Sequence, residues 1–172
     1  MVFWLPMNQT STDRGGLGGR DPEVVLAELR LRLPEAPKPV AAYIPWRRAG
    51  NLLFVSGQVA FEGGKLMAVG AVPGQVPVEV AQACARQCAL NALAVIKSAV
   101  GSLNAVKQVV RVGVWVCSEP GFYEQPKVAN AASELLVQVF GDSGRHARAA
   151  VGSVALPLGS PVEVEVVVEV GE

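Results

Sequence analysis

The chain has 172 residues, of which 51% are hydrophobic and only 17% charged, and its fifteen basic side chains balance fifteen acidic ones. A formal charge of zero argues against DNA or RNA as the primary ligand, because nucleic-acid binders usually carry a basic face. The sequence contains no run of about 18 apolar residues, which argues against a membrane-spanning helix. The apolar surplus instead predicts burial between the subunits of an obligate homo-oligomer.

The N-terminus lacks the basic and apolar regions of a signal peptide, and the three cysteines are an odd number within apolar patterns. Both features predict a reducing, cytoplasmic location. Cys84 and Cys88 lie one helical turn apart, and such a pair of thiolates can hold a metal. No second cluster of Cys or His accompanies them, so buried thiol packing is the favoured interpretation and no metal is predicted.

Residues 1–38 are predicted to form an N-terminal arm ahead of one domain at 39–172. The first 20 residues end in a glycine-rich stretch that disfavours regular structure. Asp21 is a good helix cap and Pro22 fits the first helical turn, so a short helix is expected from there to Leu33. A proline-rich linker at 34–39 then leads into the domain.

The domain alternates between strand patterns and two long helical patterns. The predicted strands are 41–46, 52–61, a short 65–69, 107–117, 147–156 and 162–170, and the predicted helices are 77–100 and 126–140. Turns are expected at 47–51 and at Gly63-Gly64. Two helices packed against one mixed β-sheet make an α+β sandwich.

Alternation within the strands predicts which face of the sheet the helices cover. The valines at even positions of 162–170 are expected to face the helices, and so are those at even positions of 110–116. Val109, Trp115 and Val167 then lie on the face without helices. That face is too apolar to be left in water, and we expect it to contact other subunits.

The C-terminal third places one arginine in a mostly apolar sheet. Arg148 heads a predicted β-hairpin whose turn is 157–161, and Glu163 opens the returning strand. A fixed cation among small and β-branched residues indicates a carboxylate-binding site.

Several short motifs occur together in an order typical of one family. They are Tyr43, Asn51, the segment FVSGQ at 54–58, Asn130, Ala147-Arg148, Leu156-Pro157 and the alternating Val-Glu-Val-Glu at 162–165. In these residues the chain resembles the Rid family, also called YjgF or L-PSP, from about Pro39 to Val170. The resemblance implies a chorismate-mutase-like fold assembled as a homotrimer around a central barrel, with clefts between subunits. It also implies hydrolysis of reactive 2-imino and 2-enamino acids to 2-keto acids and ammonia, without metal or cofactor.

The resemblance assigns roles to individual positions of the chain. Arg148 matches the arginine that holds the substrate carboxylate, and Glu163 matches the glutamate that positions or activates water. The remaining cleft positions are Tyr43, Ser56, Gly57, Asn130 and Ala150. Two departures mark a distinct branch: Ala150 stands where studied deaminases have a cysteine, and small residues at 131–133 replace a bulky aromatic.

Most of these residues also have an ordinary structural interpretation. Arg148 could form an ion pair with a strand glutamate, Glu163 could be an exposed strand residue, and Tyr43 could pack across strands. Asn130 could face solvent from its helix. His146, the only histidine, is expected in a surface loop, with a place at the cleft rim as the alternative.

Three functions remain open at this point. The first is deamination of imino acids in clefts between subunits, and its ligand would be a small-molecule carboxylate. The second is non-catalytic binding of such a carboxylate, for example by a regulatory protein. The third is the endoribonuclease or translation-inhibitor activity often attached to family names, which the neutral charge disfavours.

Overall fold

The structure is a computed structural model that describes residues 20–36 and 43–171. Within these residues it has three α-helices, one five-stranded sheet and one small hairpin. The helices are α1 (Pro22–Glu28), α2 (Val78–Val100) and α3 (Gln125–Phe140). The strands are β1 (Trp46–Ala49), β2 (Leu52–Val59), β3 (Phe61–Glu62), β4 (Lys65–Leu66), β5 (Val106–Cys117), β6 (Ala147–Ser153) and β7 (Val162–Val170).

The helix α1 belongs to the packed body of the protein. Asp21 caps it by accepting from the backbone N–H of Glu23 at 2.8 Å. It ends earlier than the predicted Leu33, since Arg30 takes a left-handed φ of 56°. Leu26 is in the core, and Glu23 pairs with Lys97 of α2 at 2.8 Å. The predicted domain boundary at 38/39 lies outside the described residues.

The main sheet has the strand order β1-β2-β7-β5-β6, and α2 and α3 cover one of its faces. Neighbouring strands are antiparallel except for β5 and β6, which are parallel. A parallel pair needs a crossover, and α3 provides it between these two strands. The predicted α+β sandwich on a mixed sheet is therefore confirmed.

The predicted C-terminal hairpin is wrong. Strands β6 and β7 do not pair, because β5 lies between them and bonds to both. The turn-like sequence at 157–161 does reverse the chain, but it returns the chain two strands away from β6. Local sequence predicts a reversal and carries no signal for a third strand inserted between its two arms.

The first strand is also shifted from its predicted position. It begins at Trp46, where the predicted strand ended, and the predicted turn at 47–51 is mostly strand. The actual turn is at Gly50-Asn51, with a positive φ of 59° at Gly50 that glycine adopts without strain. Residues 41 and 42 lie outside the described residues. The expected turn at Gly63-Gly64 is confirmed and joins β3 to β4.

The core lies between α2, α3 and the covered face of the sheet. The valines of β7 predicted to face the helices are all buried: Val162, Val164, Val166, Val168 and Val170. Val109 was predicted on the open face and is instead 1% exposed. A register shift between Val109 and Arg111 turns it toward the helices, which alternation alone does not show. In the described part of the chain, no helix is long and apolar enough to cross a bilayer.

Candidate active site

Arg148 lies near the start of the edge strand β6, and its side chain reaches toward α3. It is opposite Val112, a buried residue of the covered face. From Nη1 it donates to Asn130 Oδ1 and to Ser133 Oγ, each at 3.0 Å, and from Nη2 to the carbonyl of Pro126 at 3.5 Å. The structure thus brings together two residues predicted for the site, Arg148 and Asn130.

Helix α3 provides all three of these acceptors. Pro126, Asn130 and Ser133 are spaced by four and three residues, which places them on one face of the helix. Ser133 is a site residue that the sequence reasoning missed. Its helical spacing from Asn130 is the signal that could have found it.

The guanidinium of Arg148 has N–H groups that lack an acceptor among the described residues. Of its five N–H groups, the two on Nη1 and one on Nη2 have acceptors. Among the described residues no acceptor contacts Nε, and Arg148 forms no salt bridge. The ion pair with a strand glutamate, considered above, is therefore not formed. Adjacent N–H groups on Nε and Nη2 suit the two oxygens of a carboxylate.

His146 lies in the loop before β6, as predicted, but it is half-buried and bonded through both ring nitrogens. Nδ1 lies 2.6 Å from the carbonyl of Gly144, and Nε2 lies 3.0 Å from Ser133 Oγ. Burial lowers its pKa below the ordinary value, and the nearby positive charge of Arg148 lowers it further. The histidine thus joins the Arg148 cluster through Ser133.

Glu163 forms the second part of the candidate site, on β7. Its carboxylate lies directly over Gly57 of β2, where a Cβ atom would overlap it. The side chain is half-buried, and burial raises its pKa above the ordinary value, with the negative charge of Glu165 adding to the effect. A carboxyl group with a raised pKa takes up a proton more readily than an ordinary one, which suits general acid–base chemistry.

A local irregularity in β2 shapes the surface beneath Glu163. The register between β2 and β7 shifts between Val55 and Gln58, at Ser56 and Gly57. The buried Gln58 donates to the carbonyls of Ser56 at 3.0 Å and Gly57 at 3.3 Å, which holds this bulge in place. Gly57 provides the space that the carboxylate of Glu163 occupies.

Ser56 connects this region to the segment that precedes β1. Its backbone N–H and its hydroxyl both donate to the carbonyl of Pro45, each at 3.0 Å. Tyr43 lies two residues before Pro45, outside β1, and its side chain is 54% exposed. It therefore does not pack across β1 and β2 as a strand residue.

Within one chain, Arg148 and Glu163 lie apart. Arg148 pairs with Val112 and Glu163 pairs with Trp115, three residues further along the same strand. Side chains alternate along a strand, so Arg148 is on the covered face and Glu163 on the open face. The predicted residues thus form two groups, one at β6 with Asn130 and one at β2 and β7.

The last of the predicted cleft positions, Ala150, packs against the core. Ala150 lies opposite Val114 on the covered face, half-buried against the core.

Cys84 and Cys88 are buried as expected, and burial raises the pKa of Cys84 to about 11 and that of Cys88 as well. Both thiols are therefore protonated at neutral pH. In the described ranges, no group of three or more His, Cys, Asp or Glu side chains could hold a metal ion.

A model of the family described as "YjgF/chorismate mutase-like, putative endoribonuclease" matches residues 23–170. The chain belongs to the YjgF family. This confirms the resemblance seen in the motifs, and the matched range begins before Pro39, within α1.

Several proteins from other organisms resemble this chain over most of its length. Protein TCP17 of Trypanosoma cruzi is 42% identical over 145 residues, which are 84% of this chain and 91% of that protein. The crystal structure of Atu1372 from Agrobacterium tumefaciens, a protein of unknown function, is 44% identical with a TM-score of 0.82, covering 87% of this chain and 92% of that one. A "putative endoribonuclease" from Shewanella oneidensis is 33% identical with a TM-score of 0.85, covering 88% and 100%.

Proposed function

We propose that the protein hydrolyses 2-imino and 2-enamino acids to 2-keto acids and ammonia, in clefts that a second copy of the chain completes. The proposal rests on the hydrogen bonds and the charge of Arg148. Three acceptors fix its guanidinium, yet within the described residues no carboxylate neutralises it. Such a cation is preorganised for an external carboxylate, the group that every 2-imino acid carries.

The reaction needs little from the protein besides positioning. An enamino acid first becomes the imine when a proton moves from its nitrogen to its terminal carbon. Water then adds its oxygen to the imine carbon and gives one proton to the nitrogen. The hydroxyl of the resulting carbinolamine gives the second proton to the amino group as the carbon–nitrogen bond breaks, which leaves the 2-keto acid and ammonia. No oxidant or reductant is needed. Arg148 would orient the substrate through its carboxylate, and Glu163 would accept a proton from the attacking water and return it to the leaving nitrogen. The raised pKa of Glu163 makes its carboxylate a stronger base than an ordinary glutamate, which favours this exchange.

The separation of the two groups supports a cleft between subunits. Arg148 is on the edge strand β6, and β5 separates it from β7, which carries Glu163 on the opposite face. One chain cannot bring both side chains to one small substrate. A homotrimer that buries the open face could bring Glu163 of one copy toward Arg148 of the next, as the family resemblance implies.

The direct test supplies 2-aminoacrylate, generated in situ from serine by a pyridoxal-phosphate-dependent dehydratase, and measures keto-acid and ammonia release. The wild type should accelerate release over buffer, and Arg148→Ala should abolish the acceleration. Arg145→Ala is the matched control, because Arg145 is an exposed arginine paired with Asp142 at 3.2 Å. No acceleration across several amino-acid-derived imines would refute the proposed activity.

The second candidate is non-catalytic binding of a small carboxylate. It is favoured by the fact that the Arg148 cluster is complete within one chain, whereas Glu163 lies on the other face. A binder would take up 2-keto acids and gain thermal stability, with loss of both in Arg148→Ala and no turnover of imines. RNA cleavage that survives purification and disappears in Arg148→Ala would instead favour the endoribonuclease named for relatives.

A further inference from the structure

A chain of hydrogen bonds links the ring of His146 to the guanidinium of Arg148. The carbonyl of Gly144 can only accept, so the Nδ1 atom of His146 carries the proton. In the neutral ring Nε2 is then an acceptor, and it receives the hydroxyl proton of Ser133. The lone pairs of Ser133 Oγ remain available to Arg148 Nη1. Every bond in this chain has a defined direction.

We propose that Ser133 is a positioning residue for Arg148, and that the charge of His146, one hydrogen bond beyond Ser133, makes carboxylate binding at Arg148 depend on pH. This inference rests on the proposed function, because it concerns the same arginine. Neither residue was among the positions that the family resemblance assigned to the cleft.

The positioning role follows from how Nη1 is held. Asn130 Oδ1 and Ser133 Oγ accept its two N–H groups, each at 3.0 Å, so together they fix the plane of the guanidinium. Removal of the hydroxyl leaves only Asn130 on Nη1 and the long 3.5 Å bond from Nη2 to the carbonyl of Pro126, so the plane is held less firmly. Arg148 is exposed, so water replaces part of the lost bond and the effect is moderate. We expect carboxylate affinity to fall by about three- to tenfold in Ser133→Ala.

The pH dependence follows from charge. Ser133 Oγ has two lone pairs, so it can accept from both Arg148 and a protonated His146, and the arginine keeps its place. Protonation therefore adds a second positive charge within two hydrogen bonds of Arg148. An anion bound at Arg148 stabilises that charge, so binding raises the pKa of His146, and affinity increases as pH falls through it.

Other charged groups lie on the elements around His146. Glu134 follows Ser133 on α3, Asp142 and Arg145 pair with each other in the turn after α3, and Arg111 of β5 is opposite Ala147. Among all charged groups of the described residues, Arg148 is the one whose charge shifts the pKa of His146. The pKa of His146 therefore depends on the charge at Arg148, and a bound carboxylate that neutralises this charge should raise it.

The test titrates pyruvate into the full-length protein by calorimetry near neutral pH. Ser133→Ala should bind about three- to tenfold more weakly than the wild type, and Ser133→Thr, which keeps the hydroxyl, should bind within about twofold of it. Ser98→Ala is the matched control, because the hydroxyl of Ser98 donates only to the Val95 carbonyl of its own helix at 2.8 Å. A Ser133→Ala variant with wild-type affinity, or a Thr variant as weak as the Ala variant, would overturn the positioning role.

The pH dependence is read from the single histidine of the chain by proton NMR. Saturating pyruvate should raise the pKa of His146 in the wild type and leave it unchanged in Arg148→Ala. An unchanged pKa in the wild type on saturation would overturn the coupling. Absence of pyruvate binding by the wild type would instead refute the proposed function, and the inference with it.

Discussion

The strongest single-site test of the candidate site is Gly57→Ala. A Cβ atom at Gly57 would overlap the carboxylate of Glu163 and lie 2.7 Å from its Cδ and 3.1 Å from its Cγ. Carbon atoms normally pack at about 3.5–4.0 Å, so the carboxyl group must move by roughly 1 Å. A displacement of this size at a catalytic group can lower a rate by about 100-fold. We therefore expect Gly57→Ala to hydrolyse imines about 100-fold more slowly than the wild type.

Stability should change little in the same variant. The backbone of Gly57 does not have a left-handed φ, so alanine adds no backbone strain. Rotation of the Glu163 side chain away from its preferred rotamer lowers stability by about 0.5–1.5 kcal/mol. Replacing glycine by alanine raises stability by about 0.4–1 kcal/mol, because it reduces the conformational entropy of the unfolded chain. The midpoint of thermal unfolding should therefore stay within about 2–4 °C of the wild type.

The assay compares initial rates of keto-acid release with thermal unfolding in four proteins: wild type, Gly57→Ala, Glu163→Gln and the double variant. Because both changes act on one carboxylate, the double variant should be no slower than the slower single variant. Gly171→Ala is the control, since its added methyl would lie 3.1 Å from Cε of the flexible Lys107 side chain and at an ordinary 3.8 Å from the carbonyl oxygen of Ala105. A folded Gly57→Ala protein with the wild-type rate would refute the placement of Glu163 in the reaction.

Three further predictions concern pH, assembly and the core. If the Glu163 carboxylate is the working form, kcat/KM should fall as pH decreases through its raised pKa, and Glu163→Gln should lack that limb of the profile. Val167→Arg puts a charge on the half-buried open face of β7, and sedimentation should show a smaller assembly than for the wild type. Asn91→Ala removes bonds to the carbonyls of Val59 at 2.9 Å and Phe61 at 3.1 Å, and urea unfolding should show a loss of about 1–3 kcal/mol.

Much of the fold is predictable from the sequence because its signals are local. Pro77 and Gly101 delimit α2, and Gly141 ends α3, so the two long predicted helices agree with the structure within a residue or two. The alternating valines of β7 likewise predict its buried face correctly. Capping and alternation act over a few residues, and one sequence displays both.

The errors concern features that depend on distant parts of the chain. The insertion of β5 between β6 and β7 is decided by pairing across the sheet, and the sequence at 157–161 carries no trace of it. The inward turn of Val109 depends on a register shift against β7. The pairing of Ser133 with His146 requires α3 to lie along β6, which only the folded chain shows. Helical spacing could have selected Ser133, but nothing local selects its histidine.

The division of the site between two faces leads to a decisive experiment on assembly. Arg148→Ala alone should be inactive and Glu163→Gln alone much slower than the wild type, but co-expressed chains should regain activity if one cleft takes its arginine and its glutamate from different copies. In a ring with random incorporation of equal amounts, about one cleft in four has both groups intact, so about a quarter of the wild-type rate is expected. If the two groups came from one chain, every cleft would lack one of them. Mixed assemblies that stay inactive would therefore show that Arg148 and Glu163 do not meet across subunits.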